Sequence, residues 1–412
     1  MRRVLAGVLV ATACAGAPVS DGSGAPDDKG PPRHAADERN GQAFIQDNLW
    51  TEGDHQFAVM VDHKGNPIVA RRSRTGGPWE TALLGDLPGN PLAAPTADDE
   101  HNVYVIAVDG RGHVHVMGNM HNDPLRYVRS TSPMSIDAWE AAAIAGPARR
   151  VTYPQLVDVA GSLLFFRREG ESGDGAILLD VLDRGARDWR HAGVVLDGAP
   201  SGESPYLHEV AVGRDGAVHL LFTWRGSADR FTTNDVGHLV SRDAGRTWTD
   251  VDGRTIGTPV THRDAPVVID TPATGSGLLN QGGLAVDDLG HPHAAVVFDR
   301  QDGSRVVEHV WHDGRAWRRA VVEPALRGRP AVAVAGSRVW FVGTRCRVLV
   351  ARAVTGGTET VRLGAVPSRW EVSLDAGALR LGRVEALVPD GRMPAVRSID
   401  LDDRPPSEAD PC

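Results

Sequence analysis

From about residue 42 to residue 403 the chain alternates short apolar runs with polar turns, and one unit recurs: apolar strand, a turn carrying Asp and Gly, apolar strand. It reads Val61-Asp62-His63-Lys64-Gly65, Val108-Asp109-Gly110-Arg111-Gly112, Val159-Ala160-Gly161 and Val212-Gly213-Arg214-Asp215-Gly216. It continues as Val286-Asp287-Asp288-Leu289-Gly290, Ala335-Gly336 and Leu374-Asp375-Ala376-Gly377. The last glycines of these turns are separated by 47, 49, 55, 74, 46 and 41 residues. Seven turns at that spacing predict an all-β chain: a seven-bladed β-propeller of four-stranded antiparallel blades, with little helix and one large insertion in the fourth blade.

A second marker falls late in five of the units, at Trp79, Trp139, Trp189, Trp248 and Trp317, where an outer strand should pack on its neighbour. Before Trp248 stands Ser241-Arg242-Asp243-Ala244-Gly245-Arg246-Thr247, which resembles the Asp box of sialidase-type propellers. That box is a structural turn, so it speaks for architecture and not for chemistry.

The repeat also sorts the sixteen histidines. His115, His219 and His293 each follow their turn glycine by three residues, one equivalent position filled three times, and this reads as packing. His113-x-His115 has a spacing that could hold a metal, but no third ligand accompanies it. A different set lies about 8 to 11 residues before, or 7 to 10 after, the turn glycine, positions that share the opposite end of a hairpin. The second blade places His101 and His121 there, the third Tyr153 and Arg168, the fourth Tyr206 and Arg225, and the fifth Asn280 and Gln281. His101, His121, Tyr153 and Arg168 form the candidate catalytic set; Asn122, Tyr206, Arg225, Asn280 and Gln281 are candidate substrate contacts. Arg167 should face the other side of its strand, His55 stands at the first blade's rim without an assigned role, and Asp98-Asp99-Glu100 reads as a solvated turn.

Composition narrows the partners. A net charge of -9 and an isoelectric point near 6.0 supply no basic stripe, which argues against nucleic acid. Met1-Arg2-Arg3 followed by apolar Val4 to Ala17 reads as an export signal (1–17), and the Gly-, Pro- and Asp-rich residues 18–41 as a tether before a propeller over 42–403 and a C-terminal tail (404–412). Two alternatives stay open at Cys14: plain cleavage near Ala17, or membrane attachment through a lipidated Cys14 in the lipobox-like Ala11-Thr12-Ala13-Cys14. A secreted or cell-surface monomer is expected. With Cys14 set aside, Cys346 and Cys412 form an even pair, and in an oxidising compartment a disulfide between them is expected.

At the rim positions the chain resembles a known family, propeller proteins with BNR repeats that include ulvan lyases and rhamnosyl-glucuronate lyases. The resemblance runs from about Phe44 to Val342. It is carried by Asp99-Glu100-His101-Asn102-Val103, Met120-His121-Asn122-Asp123-Pro124-Leu125-Arg126-Tyr127, Val151-Thr152-Tyr153-Pro154-Gln155 and Arg168-Glu169-Gly170-Glu171-Ser172-Gly173. Ser204-Pro205-Tyr206-Leu207, the Asp box, Leu279-Asn280-Gln281-Gly282-Gly283 and Glu308-His309-Val310-Trp311 extend it. The chain departs from the family pattern at Asn119-Met120, where many relatives carry another histidine, and in doubling the arginine at Arg167-Arg168. The resemblance implies a polysaccharide lyase that cleaves a 4-linked uronic acid, a rhamnosyl-α-1,4-glucuronate, by β-elimination. It maps two histidines, a tyrosine and an arginine onto His101, His121, Tyr153 and Arg168: one histidine as base, the other contacting substrate, Tyr153 as proton donor and Arg168 on the carboxylate. No cofactor is required, although a structural calcium in the central channel is compatible with the fold. Two alternatives are a non-catalytic glycan-binding lipoprotein and a sialidase-type glycoside hydrolase, the latter lacking an early Arg-Ile-Pro motif.

Overall fold

The computed structural model describes residues 47–61, 66–93, 99, 101–335, 338–357, 359–366, 370–390, 393–400 and 411–412. The expected export signal, tether and Cys14 lie outside these residues, as does most of the C-terminal tail.

The first blade holds β1 (Leu49–Glu52), β2 (His55–Val61), β3 (Pro67–Ser73) and β4 (Glu80–Leu83). The second holds β5 (Tyr104–Val108), β6 (Val114–Gly118), β7 (Tyr127–Ser130) and β8 (Trp139–Ala141). In the third are β9 (Val151–Val159), β10 (Ser162–Glu169), β11 (Ala176–Leu182) and β12 (Arg190–Asp197). The fourth carries the expected insertion and has six strands: β13 (Ser204–Val212), β14 (Val218–Arg225), β15 (Thr233–Ser241), β16 (Trp248–Thr249), β17 (Thr255–Ile256) and β18 (Val267–Ile269). The fifth comprises β19 (Leu284–Val286), β20 (Pro292–Asp299), β21 (Arg305–His312) and β22 (Trp317–Val321); the sixth comprises β23 (Arg327–Ala335), β24 (Arg338–Arg345), β25 (Val348–Ala353) and β26 (Thr360–Ala365). All pairings within these sheets are antiparallel. First strands of successive blades stand side by side, β1 by β5, β5 by β9, β9 by β13, β13 by β19 and β19 by β23, which makes a propeller around a central channel.

The expectation of seven four-stranded blades is corrected to six. Beyond β26 the described residues form a two-stranded hairpin, β27 (Arg383–Asp390) and β28 (Met393–Asp400), with a single bridge from Leu374 to Ala386. The motif Leu374-Asp375-Ala376-Gly377 is not a hairpin turn. Asp375 accepts from the backbone N–H groups of Gly377 and Ala378 and so caps a short helix, α1 (Ala376–Arg380). The same carboxylate closes the ring, taking hydrogen bonds from Thr51 N (3.1 Å), Thr51 Oγ1 (2.6 Å) and Gln56 Nε2 (3.1 Å), while Gln56 also reaches Glu385 (2.6 Å). A polar clasp therefore joins the last hairpin to the first blade.

A second correction concerns the first blade. Val61-Asp62-His63-Lys64-Gly65 lies between β2 and β3, and the turn joining the first two strands is at Gly53, whose φ is +56°. His55 consequently stands at the turn end of its blade, where neighbouring Glu52 feels Asp158 and Arg380, and not at the rim that carries His101 and Tyr153.

The tryptophan marker behaves as expected: Trp139, Trp248 and Trp317 open β8, β16 and β22, while Trp79 and Trp189 immediately precede β4 and β12. Three of them pack edge-on against the preceding blade, Trp189 on Tyr127, Trp248 on Phe166 and Trp317 on His238. Each edge-to-face contact adds about 0.5–1.5 kcal/mol beyond the area it buries. In the Asp box, Asp243 Oδ1 accepts from Arg246 N (3.0 Å) and Thr247 N (2.8 Å), and Oδ2 from Thr247 Oγ1 (2.6 Å). The box holds the β15–β16 turn, its structural role.

Candidate active site at the channel mouth

The candidate residues come from blades two to five, the proposed catalytic set from blades two and three. His101 precedes β5 and His121 follows β6, so the β5–β6 hairpin brings them together at the end opposite its turn. Their rings stack at 3.8 Å between centroids with an angle of 19°. Tyr153 is 5.7 Å from the His101 ring, and Tyr206 is 5.7 Å from Tyr153.

Tyr153 owes its orientation to a break in the ladder. Phe166 pairs with Gln155 and Arg168 with Thr152, so Tyr153-Pro154 bulges out opposite Arg167. Pro154 has no N–H for the ladder, and a bulge re-aims the neighbouring side chain. The cost is visible at Tyr153, whose φ of +55° a non-glycine residue rarely adopts, a strain of about 1–3 kcal/mol.

Arg168 is 3% exposed, and its guanidinium lies 5.0 Å from the Tyr153 ring centre and 4.7 Å from that of Tyr206. It donates to Thr152 Oγ1 (3.3 Å), and among the described residues no carboxylate pairs with it. A buried cation without a counter-ion is costly unless an anion arrives. Arg167 does face the other way, buried against Asp180 at 3.1 Å.

Of the solvated turn expected at Asp98-Asp99-Glu100, Asp98 and Glu100 lie outside the described residues, and Asp99 departs from the expectation. Asp99 is half-buried; Oδ1 accepts from His101 N (2.9 Å) and His101 Nδ1 (2.7 Å), and Oδ2 from His121 Nδ1 (2.5 Å). Burial alone would raise the Asp99 carboxyl, but these hydrogen bonds outweigh it and bring it down to about 2. Burial also lowers the His101 pKa, against the opposing pull of Asp99. The Tyr153 phenol is pushed up to about 12 by burial, tempered by the charge of Arg168. Asp99 is the residue the sequence reading missed; its signal was the local Asp-x-His spacing.

Asp99, His101 and His121 each offer a ligand atom within 4.8 Å of the others. Both Nδ1 atoms are engaged with the two oxygens of the Asp99 carboxylate, one oxygen to each ring.

The candidate substrate contacts divide. Tyr206 is buried between Arg168 and Arg225 and its hydroxyl bonds Ser172 Oγ (2.7 Å). Asn122 receives Arg150 Nε (3.1 Å) and donates to Glu171 (3.1 Å), at the seam between blades two and three. Arg225 is tied to its own loop through the carbonyls of Ser227 and Ala228 and braces Tyr206. Asn280 and Gln281 are buried; Gln281 lines a channel cavity with Arg329 and Glu371, and Arg329 donates to the Asn280 carbonyl (2.8 Å). The repeated histidines are packing groups: His115 bonds the Tyr127 hydroxyl (2.6 Å), His219 pairs with His238 (3.2 Å) and His293 with His309 (3.0 Å). His113 turns instead to the Ser130 carbonyl.

Among proteins of known identity, an ulvan lyase from Alteromonas sp. (strain LOR) is 24% identical over 297 residues, 62% of this chain. The match spans 59% of that relative's length. A solved ulvan lyase superposes with a TM-score of 0.66 at 16% identity, covering 89% of this chain and 94% of the other. The ulvan lyase solved bound to -[GlcA(1-4)Rha3S]- gives 0.65 at 15% identity over the same shares. A lectin from Burkholderia pseudomallei gives 0.55 at 14% identity, covering 87% and 97%. These likenesses carry the propeller fold. The model of the BNR repeat-containing family matches residues 55–324, most of the six blades, and the chain belongs to that family.

Proposed function

We propose that the protein is a polysaccharide lyase that cleaves a 4-linked uronic acid by β-elimination, its substrate a rhamnosyl-α-1,4-glucuronate. The observation that carries this reading is Arg168, a buried guanidinium with no carboxylate partner among the described residues, set beside two histidines and a tyrosine. Elimination begins with removal of the C5 proton, which is weakly acidic because the adjacent carboxylate is already charged. Arg168 holds that carboxylate and stabilises the dianionic enolate. His101 or His121 takes the C5 proton; burial keeps the His101 ring neutral near pH 7, as a base must be. As the C4–O4 bond breaks and the C4=C5 double bond forms, Tyr153 gives its proton to O4, and a phenol at about 12 is protonated and ready to do so. The choice of rhamnose and glucuronate rests on the likeness to ulvan lyases.

A sialidase-type clamp would need three converging arginines. Arg225 is engaged by loop carbonyls, and Arg150 by Glu171 (2.9 Å) and Asp174 (3.4 Å). A structural calcium in the channel would draw on Asp47 and Glu209, carboxylates lining one cavity whose pKa values burial raises to about 7 and about 8. They supply at most four of the six to eight oxygens that calcium takes, and one oxygen of each already accepts a backbone N–H, from Leu156 and from Leu284, so the fit is partial. Export to an oxidising compartment agrees with the Cys346–Cys412 disulfide. The test is ultraviolet absorbance of an unsaturated uronate on incubation with rhamnose-glucuronate polymers. Binding without absorbance would favour a glycan-binding protein; a saturated product would favour a hydrolase.

A further inference from the structure

We propose that Asp99 is a positioning residue that fixes both His101 and His121 as Nδ1–H tautomers and so places the basic lone pair of each ring on Nε2. The inference deepens the lyase reading and rests on it for the role of the base, though not for the tautomers themselves.

One carboxylate serves two rings, one oxygen each: Oδ1 to His101 Nδ1 at 2.7 Å and Oδ2 to His121 Nδ1 at 2.5 Å. An ionised carboxylate has no proton to give, so the proton in each hydrogen bond belongs to the ring. The side chain cannot drift, because Oδ1 also takes the His101 backbone N–H at 2.9 Å. Stacking at 3.8 Å holds the rings in register, and Tyr153 borders His101. Among the described residues, Asp99, His121, Arg168 and that tyrosine face His101; of the three charged or imidazole groups, Asp99 favours a protonated ring, and His121 and Arg168 oppose it. When one ring takes the C5 proton on Nε2, Asp99 is therefore the counter-ion for the imidazolium, and it stays ionised throughout. The proton moves from carbon to Nε2, the C–H electron pair enters the enolate, and the pair of the breaking C4–O4 bond leaves with oxygen.

The test uses the full chain with ¹⁵N-labelled histidine, in the wild type and in Asp99→Asn. Wild-type spectra should show His101 and His121 as Nδ1–H tautomers, and Asp99→Asn should lose that signature in both rings. In a lyase assay the same variant should lose about 10²-fold or more in kcat with an unchanged melting profile. Its residual activity should show the acid limb of kcat/KM moved to lower pH, because the anion that raised the ring pKa is gone. Asp99→Glu should recover part of the rate. A merely structural role would lower rate and melting temperature together and leave the limb where it was. Nε2–H tautomers in the wild type, or a folded Asp99→Asn with wild-type rate and limb, would overturn the proposal. A wild type inactive on every uronate polymer would overturn the lyase reading, while the spectra still decide the tautomers.

Discussion

Replacing Arg168 by methionine separates catalysis from stability. The arginine is 3% exposed and gains two cation–π contacts, at 5.0 and 4.7 Å, each worth about 0.5–2 kcal/mol. Against these stands the desolvation of a buried charge, several kcal/mol, which no direct ion pair among the described residues offsets, Asp174 acting on it only through space. Methionine keeps much of the volume and removes the charge. The two terms oppose each other, so the melting profile should move by the equivalent of no more than about 2 kcal/mol. Turnover should behave differently. The enolate carries one more negative charge than the bound substrate, so the loss falls on kcat more than on KM. Losing a charge-assisted contact to that anion should cost about 10² to 10⁴ in rate, which is about 2.7 to 5.4 kcal/mol of transition-state stabilisation. Arg168→Lys should recover part of this, since a point charge cannot reproduce a two-pronged contact. The assay is the initial rate of unsaturated uronate formation across substrate concentrations, with melting followed in parallel. A folded Arg168→Met enzyme with wild-type kcat would refute the reasoning.

Further expectations concern the donor, the disulfide and a surface clamp. Tyr153→Phe should lower kcat by about 10² to 10⁴ while melting normally, because the hydroxyl is removed and the ring between His101 and Arg168 is kept; wild-type turnover would exclude Tyr153 as the donor. Cys346 and Cys412 are bonded across 66 residues, and Cys412→Ser should destabilise the chain by about 4 kcal/mol in denaturant titrations; an unchanged midpoint would contradict this. His262 bridges Glu203 (2.6 Å) and Asp235 (3.0 Å), and the hydrogen bond with Glu203 is the main cause of its raised pKa. A raised folded pKa means that its contribution is full below the ordinary histidine value near 6.5 and is lost as pH rises through the folded value. The melting gap between wild type and His262→Gln should therefore close at alkaline pH, and a gap that widened would reverse the sign.

The parts of this molecule readable from sequence are those fixed by local chemistry. Turn glycines set the hairpins of blades two to five, that of blade six (Gly336) lying outside the described residues, and tryptophans opening or just preceding outer strands gave the blade period, because a turn and a seam each demand one residue type. The same reasoning failed at Gly377, where an Asp followed by Ala and Gly serves as a helix cap, and at Gly65, one strand out of phase. The rim set was legible because strand length fixes which residues share an end. Asp99 was not, since an acidic turn looks alike whether it faces water or closes on the neighbouring His101 and on His121 brought in from across the hairpin. Nor was the Tyr153 bulge, which depends on pairing with β10. Arg225 matched the rim spacing, yet the carbonyls that hold it lie in its own loop, a closure that spacing does not encode.

The central claim is the elimination itself, and the structure of the new chain end tests it most directly. Mass spectrometry of the oligosaccharides released from a rhamnosyl-glucuronate polymer should find a non-reducing uronate lighter by one water than its saturated form and carrying a C4=C5 double bond. Arg168→Met, shown to be folded, should release about 10² to 10⁴ times less at the same enzyme concentration and time. A saturated uronate at that end would identify a hydrolase and contradict the account.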